Sequence, residues 1–398
     1  MVVAAALLAA VVMAAAAAAS AAPAPPRVPT AEAAIVVDAR DGTVMFAKRP
    51  DAERAIASTT KLMTALLALE EAEPDEVFAA PAYNAMPAES RINLRAGERM
   101  TVHDLLEALL LESANDAAVD LAENISGSRD AFVDEMNDRA DDLGLEHTSY
   151  ANPIGLDEPG NYSSARDLAT LARTLLRNQR FARIVDMPSA TLESGIRPRV
   201  VQNRNDLVAA YPWVDGVKTG YTLNAGNVLV GAAARGPRAR VVSAVLGEPT
   251  EAARDVDTLT LLRWGLARFS RVRIVDSGRA LARADIEYRD ENARLVPRRD
   301  VFLTTRQGQQ LRRRVNAPDE LEGPLAAGER VGSVTVVVDG RPVRRVALVT
   351  AADVPGAGTL RVVVSELGVP LTVLIVLGIL VAAILAILRL RIRIRIAR

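Results

Sequence analysis

The pattern of apolar and polar positions predicts two groups of strands, one near residue 40 and one near residue 230. Two short apolar runs, Ala33–Val37 and Thr43–Ala47, flank the turn residues Arg40-Asp41-Gly42, which is typical of a β-hairpin. Runs of strand length return after residue 214, and turn residues such as Gly236-Pro237 separate them. These later runs are Val217–Thr222, Asn227–Ala233 and Arg240–Leu246.

Between the two groups of strands, apolar residues recur with the spacing of amphipathic helices. The first helix is predicted over Ser58–Ala72, with its leucines near one face and Pro74 as its stop. Thr101 and Ser164 are each followed three residues later by aspartate, a pattern typical of helix starts. Further helices are predicted over Leu105–Leu111, Asp116–Asn124, Ser128–Gly144, from Ser164 onward and over Glu251–Phe269. We therefore expect a mixed α/β (α+β) domain in which a helical block is inserted into an antiparallel sheet.

From about Val272 to Val354 the pattern changes to short β-branched runs separated by turns such as Asp339-Gly340. The runs are Val272–Val275, Val301–Thr305, Val331–Val338 and Val343–Val349. They predict a small all-β domain. Because this region has no cluster of acidic and basic residues suited to catalysis, a spacer or docking role is favoured over a second active site.

Uncharged segments at both ends of the chain predict export and membrane attachment. Residues 2–19 carry no charge and lead to Ala19-Ser20-Ala21, a small-residue cleavage pattern, so we interpret 1–22 as a signal peptide, with an uncleaved anchor as the alternative. Leu367–Leu388 contains 22 residues without a charge, about 33 Å as a helix, which is enough to cross a bilayer. Five arginines follow it, which by the positive-inside rule places the tail in the cytoplasm and the bulk of the chain outside. The predicted segments are therefore the signal peptide 1–22, the mixed domain 28–270, the β-rich domain 271–358, the transmembrane helix 367–388 and the basic tail 389–398.

The composition excludes several classes of chemistry. The 398 residues include no cysteine, which excludes disulfides, thiolate metal sites and cysteine nucleophiles. The two histidines, His103 and His147, are too few for a three-histidine zinc site, and both are expected at the surface. We expect neither a metal nor a cofactor. Without the five arginines of the tail, 43 basic residues stand against 49 acidic ones, so we expect no nucleic-acid partner.

Lysine is the rare basic residue of this chain. Lys48, Lys61 and Lys218 are the only lysines, and the other 45 basic residues are arginines. Arginine does not lose its proton in a protein, whereas a lysine with a lowered pKa can act as a base. Two of the three lysines fall within short polar motifs, Ser58–Lys61 and Lys218–Gly220. Lys48, at the exit of the hairpin, is interpreted as a solvated surface residue.

The first motif, Ser58-Thr59-Thr60-Lys61, pairs a hydroxyl with an amine one helical turn apart. With this spacing the Lys61 amine can reach the Ser58 hydroxyl and, when neutral, can activate it as a nucleophile. The same tetrapeptide in isolation equally fits a capping serine beside an incidental surface lysine.

Two further motifs carry a hydroxyl, an amide and an amine. Ser113-Ala114-Asn115 lies between two predicted helices, where both polar side chains can face one cleft, although in isolation such residues are usually caps. Lys218-Thr219-Gly220 lies in a predicted strand, where alternation places Lys218 and Gly220 on one face. The alternative for this third motif is an edge strand protected by a charged residue.

Together the three motifs resemble those of the serine penicillin-recognising enzymes. Their surroundings resemble the D-alanyl-D-alanine carboxypeptidases, the low-molecular-weight penicillin-binding proteins of the bacterial envelope. The similar stretches are residues 57–64, 112–117, 151–157 and 216–222. The resemblance implies a β-lactamase/transpeptidase-like catalytic domain followed by a β-rich domain and a C-terminal membrane attachment, and it extends from about residue 30 to the C-terminus. It departs mildly at Ile154, where members of the family often have histidine.

The resemblance also implies a function and a set of catalytic residues. The expected enzyme is a penicillin-sensitive serine peptidase that removes the terminal D-alanine from peptidoglycan stem pentapeptides through an acyl-enzyme on Ser58. Lys61 would take the serine proton, Ser113 would relay a proton to the departing D-alanine, and Lys218 would support this step electrostatically. β-Lactams would be covalent inhibitors, and the expected location is the bacterial cell membrane, with a single span and an extracytoplasmic catalytic domain.

Asn115, the fifth expected catalytic residue, would hold a substrate amide. Further residues are implied in substrate binding, of which Gly220 would let the substrate backbone lie close to the strand. The backbone N–H groups of Ser58 and Tyr221 would form the oxyanion hole. Thr219 and Arg254 are the candidates for the substrate carboxylate, and Arg254 rests only on its place at the start of the last helix of the mixed domain.

Two other functions are compatible with parts of the sequence. A class A-like β-lactamase would hydrolyse its acyl-enzyme through a glutamate-held water, but the surroundings of Glu158 and Asn161 do not match that loop well. Ser-Ala-Asn in place of Ser-Asp-Asn and the two additional C-terminal segments also argue against it. A catalytically silent wall-binding scaffold is the second alternative, and the intact motif residues make it less favourable.

Overall fold

The computed structural model describes residues 24–396, so the predicted signal peptide 1–22 and the last two residues of the basic tail lie outside the described residues. The chain forms two compact units, of which the first ends at Arg268 and the second begins at Phe269.

The first unit contains a five-stranded antiparallel sheet with strand order β2-β1-β9-β8-β7. The strands of this unit are β1 (Ala33–Asp38), β2 (Val44–Lys48), β3 (Val77–Ala79), β4 (Arg99–Thr101), β5 (Ser189–Leu192), β6 (Arg199–Gln202), β7 (Val214–Thr222), β8 (Gly226–Ala234) and β9 (Arg240–Glu248). Because β1 pairs with β9, the chain segment between β2 and β7 forms a block inserted into one sheet. The predicted fold class is thus confirmed, while the short pairs β3–β4 and β5–β6 were not predicted.

The inserted block is mainly helical, and one long helix packs beside the sheet after β9. The helices are α1 (Lys61–Glu71), α2 (Val102–Glu107), α3 (Asn115–Ser126), α4 (Arg129–Asp142), α5 (Ala165–Leu175), α6 (Gln179–Asp186), α7 (Asp206–Ala210) and α8 (Glu251–Ala267). The side-chain oxygens of Thr101, Ser128 and Ser164 each accept a hydrogen bond from the backbone N–H three residues later. The predicted helix starts at these residues are therefore confirmed as N-caps.

Two predicted helices differ in detail, and both differences fall at motif residues. Ser58 belongs to a 3₁₀ turn, Ala57–Thr60, and α1 begins only at Lys61. The helix predicted over Leu105–Leu111 changes to a π-helical turn at Ala108, and the chain then leaves it at Ser113 with a left-handed φ of 61°. π-Helical turns of this kind are frequent at functional sites.

Helix α1 is the central helix of the first unit. Its first eight residues are all buried, and they include the polar side chains of Lys61 and Thr64. Burying a polar group is costly unless it is hydrogen-bonded, so these two side chains must find partners inside the domain. The partners that they find belong to the candidate active site.

The second unit is a β domain followed by two helices. Its strands are β10 (Phe269–Val275), β11 (Ala282–Ile286), β12 (Asn292–Pro297), β13 (Val301–Arg306), β14 (Leu311–Asn316), β15 (Glu320–Leu321), β16 (Arg330–Val338) and β17 (Arg341–Thr350). Six of them form a sheet with order β14-β16-β17-β12-β11-β15, and β10 pairs with β13. Valines and leucines of β10, β13, β16 and β17 share one small core. The predicted all-β domain is confirmed, although the strands with fewer apolar residues were missed.

The C-terminal segment contains α9 (Thr359–Leu367) and α10 (Val369–Ile396). Residues Val369–Arg389 form a helix with a mean hydropathy of 3.2, long and apolar enough to cross a membrane. This helix begins two residues after Leu367, where the uncharged segment of the sequence begins, because Gly368 has a left-handed φ of 77° and separates the two helices.

Candidate active site

Ser58 lies in a tight turn that is packed against two glycines. A Cβ atom on Gly155 would lie 2.0 Å from the backbone oxygen of Ala57, and a Cβ on Gly220 would lie 3.0 Å from the backbone nitrogen of Ser58. Strand β7 and the loop at residue 155 therefore approach the turn as closely as they do only because both positions lack a side chain. Ala57 itself has a left-handed φ of 48°. The position of the Ser58 backbone is thus fixed from two sides.

The Lys61 side chain is fully buried and its amine has three oxygen partners. Its Nζ lies 2.9 Å from Ser58 Oγ, 2.6 Å from Asn115 Oδ1 and 2.6 Å from the backbone oxygen of Ile154. The first motif and the second motif, which are separated by more than 50 residues in sequence, therefore meet at this amine. The serine and the lysine have the hydrogen-bond geometry of a nucleophile and its base.

The environment of Lys61 favours the neutral amine. Burial lowers the pKa of Lys61 well below its usual value, and the positive charge of Lys218 lowers it further. The carboxylates of Glu89 and Asp116 act in the opposite direction and raise the pKa of Lys61. A lysine whose pKa is depressed in this way is suited to act as a base, whereas an arginine at the same position would keep its proton.

The second motif presents an amide to this amine and places a serine beside it. Asn115 begins α3, and its amide bridges Lys61 on one side and Glu89 on the other, with an Nδ2-to-Oε2 distance of 2.6 Å. Ser113 is 6% exposed at the end of the π-helical turn. Among the described residues its hydroxyl makes no hydrogen bond to Ser58 or Lys218, so Ser113 is near the site without being joined to the other motifs.

The third motif contributes a second buried amine. Lys218 is 1% exposed, and its Nζ donates to the backbone oxygen of Thr219 over 3.1 Å. Burial, followed by the charges of Arg204 and Arg254, lowers the pKa of Lys218 to about 7, against the opposing charge of Glu112. Both lysines of the motifs are therefore buried amines whose pKa values are lowered, and the charge of Lys218 contributes to the lowering at Lys61.

The residues implied in substrate binding surround the edge strand β7. Thr219 is nearly buried, Gly220 faces the Ser58 turn, and the Tyr221 side chain is 60% exposed. Arg254 is buried on α8, where its Nε donates to Asp255 Oδ1 over 2.9 Å. Its charge acts on Lys218, so Arg254 lies near the third motif while one of its own partners is already a carboxylate.

The loop at residues 152–155 was noted only as part of the family resemblance, but it positions a ligand of the Lys61 amine. The Asn152 side chain accepts from the N–H of Gly155 over 2.7 Å, which closes a tight turn around Ile154. Thr64 of α1 donates to the backbone oxygen of Pro153 over 2.7 Å. The turn therefore presents the Ile154 carbonyl to Lys61, and this role needs no particular side chain at residue 154.

Two carboxylates near the amine were missed by the sequence analysis. Glu89 accepts from Asn115, and Asp116 accepts from the N–H groups of Ile92 and Leu94 over 3.1 Å and 3.0 Å. Asp116 lies within residues 112–117, which resemble the family, but no role was predicted for it. Glu89 lies in a loop whose residues show no hydrophobic periodicity, so nothing in the sequence distinguishes it. Arg204, which lowers the pKa of Lys218, was also missed because nothing distinguishes it among so many arginines.

The remaining candidates lie elsewhere. The side chains of His103 and His147 are partly exposed, and their ring nitrogens contact glutamates outside the three motifs. Lys48, predicted as a solvated surface residue, is half-buried at the end of β2. Its Nζ donates to the backbone oxygens of Val28 and Pro29 over 2.9 Å and 3.1 Å, and it thereby holds the N-terminal segment of the described chain.

Comparison with known proteins places this arrangement in a family. The family model described as D-alanyl-D-alanine carboxypeptidase matches residues 17–250, and the model described as the C-terminal domain of penicillin-binding protein 5 matches residues 269–356. The chain is 33% identical over 353 residues to the D-alanyl-D-alanine carboxypeptidase DacA of Haemophilus influenzae, which covers 84% of this chain and 87% of that protein. It is 30% identical over 342 residues to the D-alanyl-D-alanine carboxypeptidase DacF of Bacillus subtilis, which covers 82% of this chain and 87% of that protein.

Solved structures agree with the sequence comparisons. Penicillin-binding protein 5 from Haemophilus influenzae superimposes with a TM-score of 0.60 at 31% identity, over 83% of this chain and 99% of that chain. Penicillin-binding protein 6B from Escherichia coli gives a TM-score of 0.61 at 27% identity, over 83% of this chain and 98% of that chain. Because the relatives are covered over nearly their whole length, the resemblance first carried by three short motifs extends to both units. The chain belongs to the D-alanyl-D-alanine carboxypeptidase family of serine peptidases.

Proposed function

We propose that this member of the family removes the terminal D-alanine from peptidoglycan stem pentapeptides through an acyl-enzyme on Ser58. The observation that carries the proposal is the Lys61 amine, which is buried, has a lowered pKa and lies 2.9 Å from the Ser58 hydroxyl. In the first step Ser58 Oγ attacks the carbonyl carbon of the penultimate D-alanine while its proton passes to neutral Lys61. The tetrahedral intermediate then carries a negative oxygen.

Stabilisation of that oxygen is assigned to the backbone N–H groups of Ser58 and Tyr221. The close approach of β7 to the Ser58 turn, which Gly220 permits, supports this assignment because it brings the two backbone segments side by side. One such donor is worth about 3 kcal/mol in comparable sites. Asn115 and Thr219 are assigned to the substrate amide and to the terminal carboxylate, respectively, with Arg254 as a second group for the carboxylate.

Collapse of the intermediate breaks the peptide C–N bond and requires a proton for the departing D-alanine. Ser113 and Lys218 are assigned to this delivery, because Ser113 is buried near the site and the pKa of Lys218 is lowered to about 7. Water then hydrolyses the Ser58 ester and releases the shortened peptide. A β-lactam acylates the same oxygen by opening its ring, and it leaves no small amine to depart.

The arrangement of segments supports a location at the bacterial cell membrane. We assign residues 28–270 as the catalytic domain, 271–358 as the β-rich domain and 1–22 as the signal peptide. The apolar helix Val369–Arg389 is the proposed single span. The arginines from residue 389 onward favour a cytoplasmic tail, so the catalytic domain would be extracytoplasmic.

The experiment uses the full-length chain in detergent, with fluorescent penicillin and a peptide ending in D-Ala-D-Ala as separate substrates. The peptidase is expected to release one D-alanine per peptide and to retain the penicillin label on Ser58. Rapid turnover of the penicillin would favour a β-lactamase, and absence of both reactions would favour a silent scaffold. A Ser58→Ala variant must lose both label and D-alanine release, and if it still cleaves the peptide, the mechanism is wrong.

A further inference from the structure

The amide of Asn115 has two chemically different ends, and each faces a different kind of partner. Its Oδ1 lies 2.6 Å from Lys61 Nζ, while its Nδ2 lies 2.6 Å from Glu89 Oε2. An ionised carboxylate only accepts hydrogen bonds, so the NH₂ end of the amide must point towards Glu89. Turning the amide by half a turn would set its oxygen against the carboxylate and would direct its NH₂ group at the lysine.

The direction of this amide matters because a neutral amine has only two hydrogens. Of the three oxygens around Lys61 Nζ, those of Asn115 and Ile154 are carbonyl oxygens that can only accept. When both N–H bonds of neutral Lys61 are donated to them, the lone pair is left for the third partner, the Ser58 hydroxyl at 2.9 Å. A turned Asn115 would instead donate to that lone pair and compete with Ser58 for it.

We propose that Glu89 is a positioning residue for the base: it holds the Asn115 amide with its oxygen on Lys61, so that the Lys61 lone pair is directed at Ser58. The inference deepens the proposed function and rests on it in one respect, the assignment of Lys61 as the base. Glu89 itself touches neither the nucleophile nor the reacting carbonyl.

Glu89 is held in place by groups other than Asn115. The phenol of Tyr83 donates to it, and its other oxygen accepts from the N–H of Met86 over 2.8 Å. Next to it, the backbone oxygen of Ser90 accepts from the N–H of Asn115 over 2.8 Å. Although burial raises the pKa of Glu89, these hydrogen bonds lower it below its usual value, so the side chain is a carboxylate at neutral pH.

A Glu89→Gln substitution removes the charge and the directional restraint with little change in shape. A glutamine can meet either end of the Asn115 amide, so the two amide orientations become similar in energy. Two similarly populated orientations leave the lone pair free for Ser58 in about half of the molecules, so we expect the rate of Ser58 acylation by penicillin to fall by about twofold, well short of the roughly 10²–10⁴-fold that loss of a general base costs. Tyr83→Phe is the matched control, because it removes one hydrogen bond to the same carboxylate oxygen but leaves the charge of Glu89 beside Asn115.

The second measurement follows the protonation of the Lys61 amine directly. Lysine labelled with ¹³C at Cε gives at most three side-chain signals in this chain, and a Lys48→Arg background leaves those of Lys61 and Lys218. The charged groups that act on Lys61 are Lys218, Glu89 and Asp116, of which only Glu89 is altered. Since Glu89 raises the pKa of Lys61, Glu89→Gln is expected to move the Lys61 titration to lower pH, and Tyr83→Phe is expected to leave it in place.

The outcomes separate this inference from the proposed function. A slower acylation together with a lower Lys61 titration in Glu89→Gln, but not in Tyr83→Phe, supports the positioning role. An unchanged acylation rate, an unchanged Lys61 titration, or equal losses in both variants would overturn it. If the wild-type chain is acylated by penicillin but releases no D-alanine, the proposed function fails, while the positioning of Lys61 is still decided by the acylation rates.

Discussion

Gly155 provides a direct test of whether the loop at residues 152–155 holds Ser58, the proposed nucleophile, in place. Gly155 and Gly160 both have a φ of 88°, but their surroundings differ. A Cβ on Gly155 would lie 2.0 Å from the backbone oxygen of Ala57, whereas a Cβ on Gly160 would meet nothing within 4 Å. Substituting alanine at each position therefore imposes the same backbone cost and differs only in the collision.

The size of the effect can be worked out from these distances. A left-handed backbone costs about 1–2 kcal/mol for a residue with a Cβ, and both variants incur that cost. Carbon and oxygen atoms in contact are normally at least about 3.3 Å apart, so in Gly155→Ala the loop or the Ser58 turn must move by about 1 Å. Such overpacking costs about 1–3 kcal/mol, and a displacement of about 1 Å at a reacting group can lower a rate by about 10²-fold.

We therefore expect Gly160→Ala to lower the free energy of unfolding by about 1–2 kcal/mol and to acylate like the wild type. Gly155→Ala should lose a further 1–3 kcal/mol, roughly, and should react with penicillin about 10²-fold more slowly. Urea unfolding gives the first quantity, and the rate of fluorescent penicillin labelling gives the second. If Gly155→Ala is labelled as fast as Gly160→Ala, the loop does not position Ser58, and the reasoning from close packing is refuted.

Three further outcomes are expected. Lys61→Arg should acylate about 10²–10⁴-fold more slowly while Lys48→Arg reacts normally, and activity retained by Lys61→Arg in penicillin labelling would exclude a base at residue 61. Glu248 is fully buried near Asp257, and burial is the main cause that raises its pKa to about 7. In the unfolded chain the pKa of this carboxyl returns to its usual value of about 4.5, so between pH 4.5 and 7 only the native state keeps the proton. The contribution of Glu248 to the free energy of unfolding should therefore fall as pH rises from about 4.5 to 7. Urea unfolding at both ends of this window should show a smaller fall in Glu248→Gln than in the wild type. An equal fall in both would contradict the raised pKa of Glu248. Removal of residues 368–398 should move the chain from the membrane fraction to the supernatant with D-alanine release unchanged, and retention in the membrane fraction would show that another segment anchors it.

The fold could be predicted from the sequence where local pattern and tertiary structure agree. The apolar runs of β1, β7, β8 and β9 and the capping residues Thr101, Ser128 and Ser164 each determine an element through nearby chemistry. The pattern was insufficient where tertiary contacts decide the backbone. Nothing local distinguishes the change from α- to π-helix at Ala108, and strand β14 was missed because all six of its residues are exposed.

In the active site, too, residues in local motifs could be predicted and residues joined by long-range contacts could not. Ser58, Lys61 and Asn115 lie in short motifs, and the structure brings them within hydrogen-bond distance. The Ile154 carbonyl could not be predicted as a partner of the amine, since every residue has a backbone oxygen and only the fold selects one. Glu89 is one of 49 acidic residues and joins the site through a loop more than 20 residues away from Asn115. Long-range contacts of this kind leave no periodic signal in one sequence.

The scarcity of lysine also bears on how the opening of the active site can be measured. Lys61 and Lys218 are 0% and 1% exposed, while Lys48 is held by two carbonyl groups on a strand. A protease that cleaves only after lysine therefore has few positions to attack, and two of them become accessible only when the site unfolds locally. Where reclosing is faster than cleavage, the rate of cutting at Lys61 or Lys218 reports the free energy of that local opening. Cleavage after the two lysines assigned to proton transfer would thus also measure the local stability of the active site, without any substrate.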